Sequence, residues 1–199
     1  MKSITLNLLI ALVLILFSGI GGFVGCNQNT VEPHEIAISL ASVPSQVCIA
    51  INNERNGILE QNGNALHEQA VREEWTSERE AQAVLELHQQ DDILRSIVSP
   101  RYNNADGELV EGRCRIVTEY LARVAVGVES FEDLQTDGWE RAVSDLLALV
   151  NELFDVLRDL GIVDLADWLN ERVQIGEAGL GDLLRDVLRF AEQVLERAE

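Results

Sequence analysis

Between Asp137 and Gly161 the residues Trp139, Ala142, Leu146, Leu149, Leu153, Val156 and Leu160 recur at alternating spacings of three and four, which aligns one apolar seam along an α-helix. Val143, Leu147, Val150, Phe154 and Leu157 widen the seam, so this helix must be covered on more than one side, as the central member of a bundle. Asp137, with Glu140 three residues on, is placed to cap its start, and Gly161 to end it in the left-handed region. A second seam, Leu180, Leu184, Val187, Ala191, Val194 and Ala198, predicts a final helix. Arg185, Arg189 and Arg197 sit toward its C-terminus, where cations complement the helix dipole.

Earlier segments carry weaker periodicity. Val84, Leu87, Leu94 and Val98 predict a charged helix running from about Asn64 to just before Pro100, with Ser77 and Glu80 as a capping box that restarts it after Trp75. Cys114, Ile116, Val117, Tyr120, Leu121 and Val124 predict another, from about Leu109 to Val126. Residues 100–112, with Asn103, Asn104, Asp106 and Gly107, read as a polar turn between them. Segment 36–52 is ambiguous: Ile36, Ile38 and Leu40 alternate as in a strand, whereas Pro44 and Ser45 open a short helix carrying Val47, Cys48 and Ile51. Asn52 to Asn64, rich in Asn and Gly, reads as loop; Leu165, Trp168 and Leu169 form a short capped piece, and Gly176, Gly179 and Gly181 mark a turn. The fold class expected is all-α, an antiparallel bundle of four or five helices.

The N-terminus differs in kind. Lys2 precedes an uncharged stretch from Ser3 to Val31 with an unbroken apolar run from Leu8 to Phe17, then Ser18, Gly19, Gly21, Gly22 and Gly25. That is the order of a secretory signal: a positive start, an apolar centre and a small-residue exit. It ends Phe23, Val24, Gly25, Cys26, which resembles the lipobox of bacterial lipoproteins, although Phe23 stands where leucine or another aliphatic residue is usual. The resemblance covers residues 1–26 alone. It implies cleavage before Cys26, acylation of its sulfur, and a division into a signal peptide (1–25), a lipidated cysteine with a polar tether (26–35) and an acidic helical domain (36–199). It also implies a bacterial envelope location, with the body outside the cytoplasmic membrane and the bilayer as a partner through Cys26. Asn27, not the aspartate associated with inner-membrane retention, points to the outer membrane if the host is Gram-negative. The rival reading is an uncleaved anchor, since residues 4–25 are long enough to span a bilayer. The glycines clustered at the outer end serve a protease, which reads extended chain, better than they serve a membrane helix.

All 34 acidic residues lie at or after Glu32 and lysine is absent after Lys2, so removing residues 1–25 leaves 14 arginines against 34 carboxylates, a net −20. Such a body repels phosphate backbones, which disfavours nucleic-acid binding. With Cys26 consumed by lipid, Cys48 and Cys114 form an even pair, and a disulfide between them is expected in an oxidising compartment; buried free thiols or an intermolecular link are the alternatives. No CxxC spacing supports zinc or redox chemistry. His34, placed in the tether, His67 and His88 lie too far apart for an HExxH-type pair. In a calcium loop centred on Gly107, Tyr102 and Arg113 would occupy the first and last ligand positions. No catalytic residues, metal or cofactor are therefore assigned. The function expected is a tethered envelope lipoprotein with a protein-interaction or structural domain, the alternative being a small-ligand carrier or hydrolase with a pocket between helices.

Overall fold

The computed structural model describes residues 32–198. They form six α-helices: α1 (Pro33–Arg72), α2 (Ser77–Val98), α3 (Arg113–Ala125), α4 (Asp137–Asp159), α5 (Leu165–Arg172) and α6 (Leu180–Ala198). Two small antiparallel hairpins complete the body, β1 (Arg101–Asn103) with β2 (Leu109–Glu111), and β3 (Gln174–Ile175) with β4 (Ala178–Gly179), together with a short 3-10 turn at Asp133–Gln135. The all-α class holds, with six helices among the described residues where four or five were expected.

The central position of α4 follows from its widened seam. It packs against α2, α3 and α6, and Trp139, Leu146, Leu149, Leu153 and Leu157 are all buried. The indole N–H of Trp139 finds no partner, which costs about 1–3 kcal/mol. Burying 150–250 Å² of aromatic surface returns roughly 4–6 kcal/mol, so the site favours the tryptophan even with its donor unpaired. α4 ends as expected, with Gly161 at φ 85°, but Thr136 precedes the helix and Asp137 is already its first residue; no side-chain cap forms.

The largest correction concerns α1. One helix of 40 residues runs through both the strand-like alternation at Ile36–Leu40 and the Asn/Gly stretch from 52 to 64, with Pro44 inside it. Its length is about 60 Å. Pro33, His34 and Glu35 are its first turn, with Pro33 at the N-terminal position that suits proline, so the tether expected over 26–35 gives way to helix there. α1 is apolar and long enough to cross a membrane, yet half of that apolar stretch is buried in the bundle, which accounts for its composition without a bilayer. Ala37, Leu40, Val43, Val47, Cys48 and Ile51 carry this burial, whereas beyond Ile51 only Ile58 and Ala70 are buried.

Smaller differences have local causes. Thr76, not Ser77, caps α2 by accepting a bond from Arg79 N, because the chain leaves its extended conformation one residue earlier. Leu109 belongs to β2 and α3 starts only at Arg113, since residues 101–111 are spent on the hairpin. Gly112 sits there because a Cβ would fall 1.8 Å from the Ser99 carbonyl oxygen. At the far end Gly176 has φ 61° and makes the β3–β4 turn, but Gly181 is required by contact: its Cβ would lie 1.8 Å from Ala166 O. The same close approach lets Asn170 Oδ1 accept from Gly181 N (2.8 Å) and Asp182 N (3.3 Å), so α5 caps α6.

Candidate functional site

Two of the cysteines meet. Cys48 on α1 and Cys114 in the first turn of α3 form a disulfide, with Cα atoms 6.5 Å apart and both side chains buried. Cys114 Sγ also lies 3.4 Å from the Pro44 carbonyl oxygen; with no proton to donate, this is a packing contact. Phe23, Val24, Gly25 and Cys26, the proposed signal-recognition and lipidation residues, lie outside the described residues.

Beyond the disulfide, α1 and α2 run on together as an arm. Going down α1, His67 pairs with Glu80 (2.9 Å), Arg55 with Asp91 (2.6 Å), and Asn52 accepts from the Ser99 hydroxyl (3.2 Å), a descending order against an ascending one that makes the two helices antiparallel. The Arg55–Asp91 pair is the strongest of these, since Asp91 is only 8% exposed and both carboxylate oxygens engage one guanidinium nitrogen. Asn62 Nδ2 donates to the Leu160 carbonyl (2.9 Å), tying the base of the arm to the end of α4 and using an orphan acceptor there.

The tip is a four-residue turn organised by one carboxylate. Glu73 accepts from Trp75 Nε1 (2.8 Å) and Gln69 Nε2 (2.9 Å), and the Arg79 guanidinium stacks on the Trp75 ring at 3.9 Å. The Trp75 and Gln69 bonds hold the Glu73 carboxyl below the ordinary carboxylate value. Glu74 has φ 51°, a left-handed conformation that disfavours a side chain.

Two open clefts flank the Asn62–Leu160 contact. One, of about 540 Å³, runs up the arm with Ala65, Leu66, Ala83 and Leu87 as its floor, Trp75 toward the tip and Leu160–Gly161 at the base. The other, of about 510 Å³, lies between α1 and α5 and brings Ile58, Ile162 and Trp168 beside exposed Glu54, Asp164, Asp167 and Glu171. Arg172 stacks on Trp168 there at 4.3 Å, so Trp75 and Trp168 are both half-buried cleft residues under an arginine, while Trp139 alone is core.

The remaining candidates stay dispersed. His34 and His88 are exposed on α1 and α2, and His67 reaches only Glu80. Asn104 Oδ1 accepts from the backbone N–H groups of Asp106 and Glu108 and Gly107 has φ 79°, which is a self-satisfied turn joining β1 to β2. Among the described residues no three His, Cys, Asp or Glu side chains are grouped to hold a metal ion. The arm groove escaped sequence reading because its two walls, Ala65–Gln69 and Ala83–Gln90, fell in one stretch read as a single helix restarted after Trp75 rather than as two antiparallel helices. One signal was available: Asn62, Ala65, Leu66 and Gln69 repeat the i, i+3, i+4, i+7 spacing of Ala83, Glu86, Leu87 and Gln90. Comparison with known protein families, curated proteins and solved structures gives no match.

Proposed function

We propose that the chain is a bacterial envelope lipoprotein, held to a bilayer through acylated Cys26, whose acidic helical body is a protein-interaction or structural domain. The observation that carries this reading is the order of Lys2, the apolar run Leu8–Phe17, the glycines and Gly25–Cys26, ending seven residues ahead of α1. The Cys48–Cys114 disulfide supports it, because structural disulfides persist in compartments outside the cytoplasm. With a net −20 the body is repelled by anionic lipid, so the hydrocarbon chains on one sulfur must do the holding. Two or more chains suffice, at about 0.8 kcal/mol per buried methylene.

The alternative, a small-ligand carrier or hydrolase, asks for an enclosed site with converging groups. The two clefts are open grooves, and the carboxylates of the second are exposed. The test is intact mass of the protein extracted from membranes, before and after reduction. The reading expects a start at Cys26 carrying acyl mass and a gain of two hydrogens on reduction. Recovery with Met1 attached, or processing unchanged in Cys26→Ser, overturns it.

A further inference from the structure

The arm leaves a packing problem unsolved within the described body. Two helices alone bury only the strip where they touch, and past the core edge α1 and α2 have each other and little else: between Asn52 and Gln90 only Ile58 and Ala70 are buried. On the groove side both helices nevertheless present the same face, with Ala65 and Leu66 matched by Ala83 and Leu87. That arrangement suits a third helix. Alanines opposite one another allow axes to approach at the close end of the usual 8–10 Å separation, and the flanking leucines offer apolar surface to its side chains. The groove runs from Trp75 to Leu160; along α1, Asn62 to Gln69 advances about 10 Å, enough for two turns of a partner helix.

Charge decides what that helix is. From Asn52 to Asp92 the arm carries ten carboxylates and three arginines, a net −7, with Glu86 and Asp159 on the groove itself. A second copy would bring another −7 arm against the first, so self-pairing through this face is opposed by like charge, whereas a cationic segment is drawn to it. We propose that the arm groove is the docking site for an amphipathic helix of another protein, bearing lysines or arginines beside its apolar stripe and completing a three-helix bundle with α1 and α2. The inference rests on reading the body as an interaction domain and supplies the chemistry of its partner.

The test uses the membrane-extracted protein in detergent and a synthetic 14-residue helix with leucines at i, i+3, i+4 and i+7 and lysines elsewhere. Two control peptides accompany it, one with the leucines scattered around the helix and one with glutamate for lysine. The indole N–H resonances of Trp75, Trp139 and Trp168 are followed by NMR. The expected result is a shift of Trp75 with Trp139 unmoved, and at least tenfold weaker binding by either control. Ala83→Arg, and independently Ala65→Arg at an exposed position, fill the groove and should each weaken binding at least tenfold with unchanged far-UV circular dichroism. Equal binding by a control peptide, or undiminished binding to both arginine variants, overturns the proposal. So does a dimer that Ala83→Arg dissociates, or a Trp75 shift produced by phospholipid vesicles alone. A Cys26→Ser protein that leaves the membrane fraction unaltered but still binds the lysine helix sinks the lipid anchor and spares the groove; a lipidated protein indifferent to every peptide does the reverse.

Discussion

Reducing the Cys48–Cys114 disulfide should cost the body a large share of its stability. The bridge closes a loop of 66 residues, for which the chain-entropy relation gives about 4 kcal/mol at 25 °C. Against a total of roughly 5–15 kcal/mol for a domain, that moves a urea midpoint by roughly 2 M and the Tm by about 8–16 °C. Both sulfurs are buried, so Cys48→Ala with Cys114→Ala also removes packing and overstates the loop effect; reduced wild type keeps the sulfurs and isolates it. The assay is urea unfolding followed by circular dichroism and by the emission of buried Trp139, on oxidised, reduced and double-alanine protein. Reduced protein should lie about 4 kcal/mol below oxidised, with the double variant lower still by about 1 kcal/mol or more. A reduced protein within about 1 kcal/mol of the oxidised one would refute the reasoning, because the loop constraint would then be absent from the unfolded state.

Glu74→Gly relieves the left-handed strain at the arm tip and should raise stability by about 0.5–1 kcal/mol, read as a higher urea midpoint; a loss would mean that the Glu74 side chain contributes more than its backbone costs. Asn170→Ala removes the acceptor that caps α6 from α5 and should cost about 1–2 kcal/mol, while Asn170→Asp, which keeps an oxygen there, should cost less; equal losses in thermal melts would contradict the capping role. Asp133 is held below its ordinary 3.8 by the backbone N–H of Glu129, then that of Ser130 and its hydroxyl. Its folded pKa is depressed, so the stability it contributes is fully present above the unfolded value and is lost as pH falls through the folded one. The gap between wild type and Asp133→Asn in urea titrations should thus stay constant above about pH 5 and close below 3.8; a gap that widens in acid is the opposite sign and would reject the assignment.

What could be read from residues alone was what depends on period. The three-four spacing from Trp139 to Leu160 specifies α4 and its multiple neighbours, and the Leu180 series specifies α6, because seams of that length leave a helix no other way to bury them. The disulfide followed from parity. α1 was obscured by residues whose local cost is real: each interior glycine opposes helix by about 1 kcal/mol and Pro44 by about 3. Distant contacts offset that cost and leave no local trace. Cys48 is bridged to Cys114, Asn52 meets Ser99, and Asn62 meets Leu160, so two of the asparagines that look like loop formers are a cross-helix acceptor and donor. The groove inherited this blindness, since it needs both arm helices and the corner at Leu160. Hairpins of two or three residues per strand are too short for alternation to mark them.

A single backbone joins the proposed anchor to the arm. α1 begins seven residues after Cys26 and ends at the turn that carries Trp75. In a chain fixed at Cys26, tension applied to the arm descends that helix until Cys48, where a covalent bond diverts it into α3. Within α1 only Pro33 to Val47 then bears the load unaided, and unwinding those residues from about 1.5 to 3.4 Å each would lengthen the connection by roughly 30 Å. Because Ala37, Leu40 and Val43 are buried among the other helices, that extension would start only when their packing gives way, on the N-terminal side of the sulfur bridge.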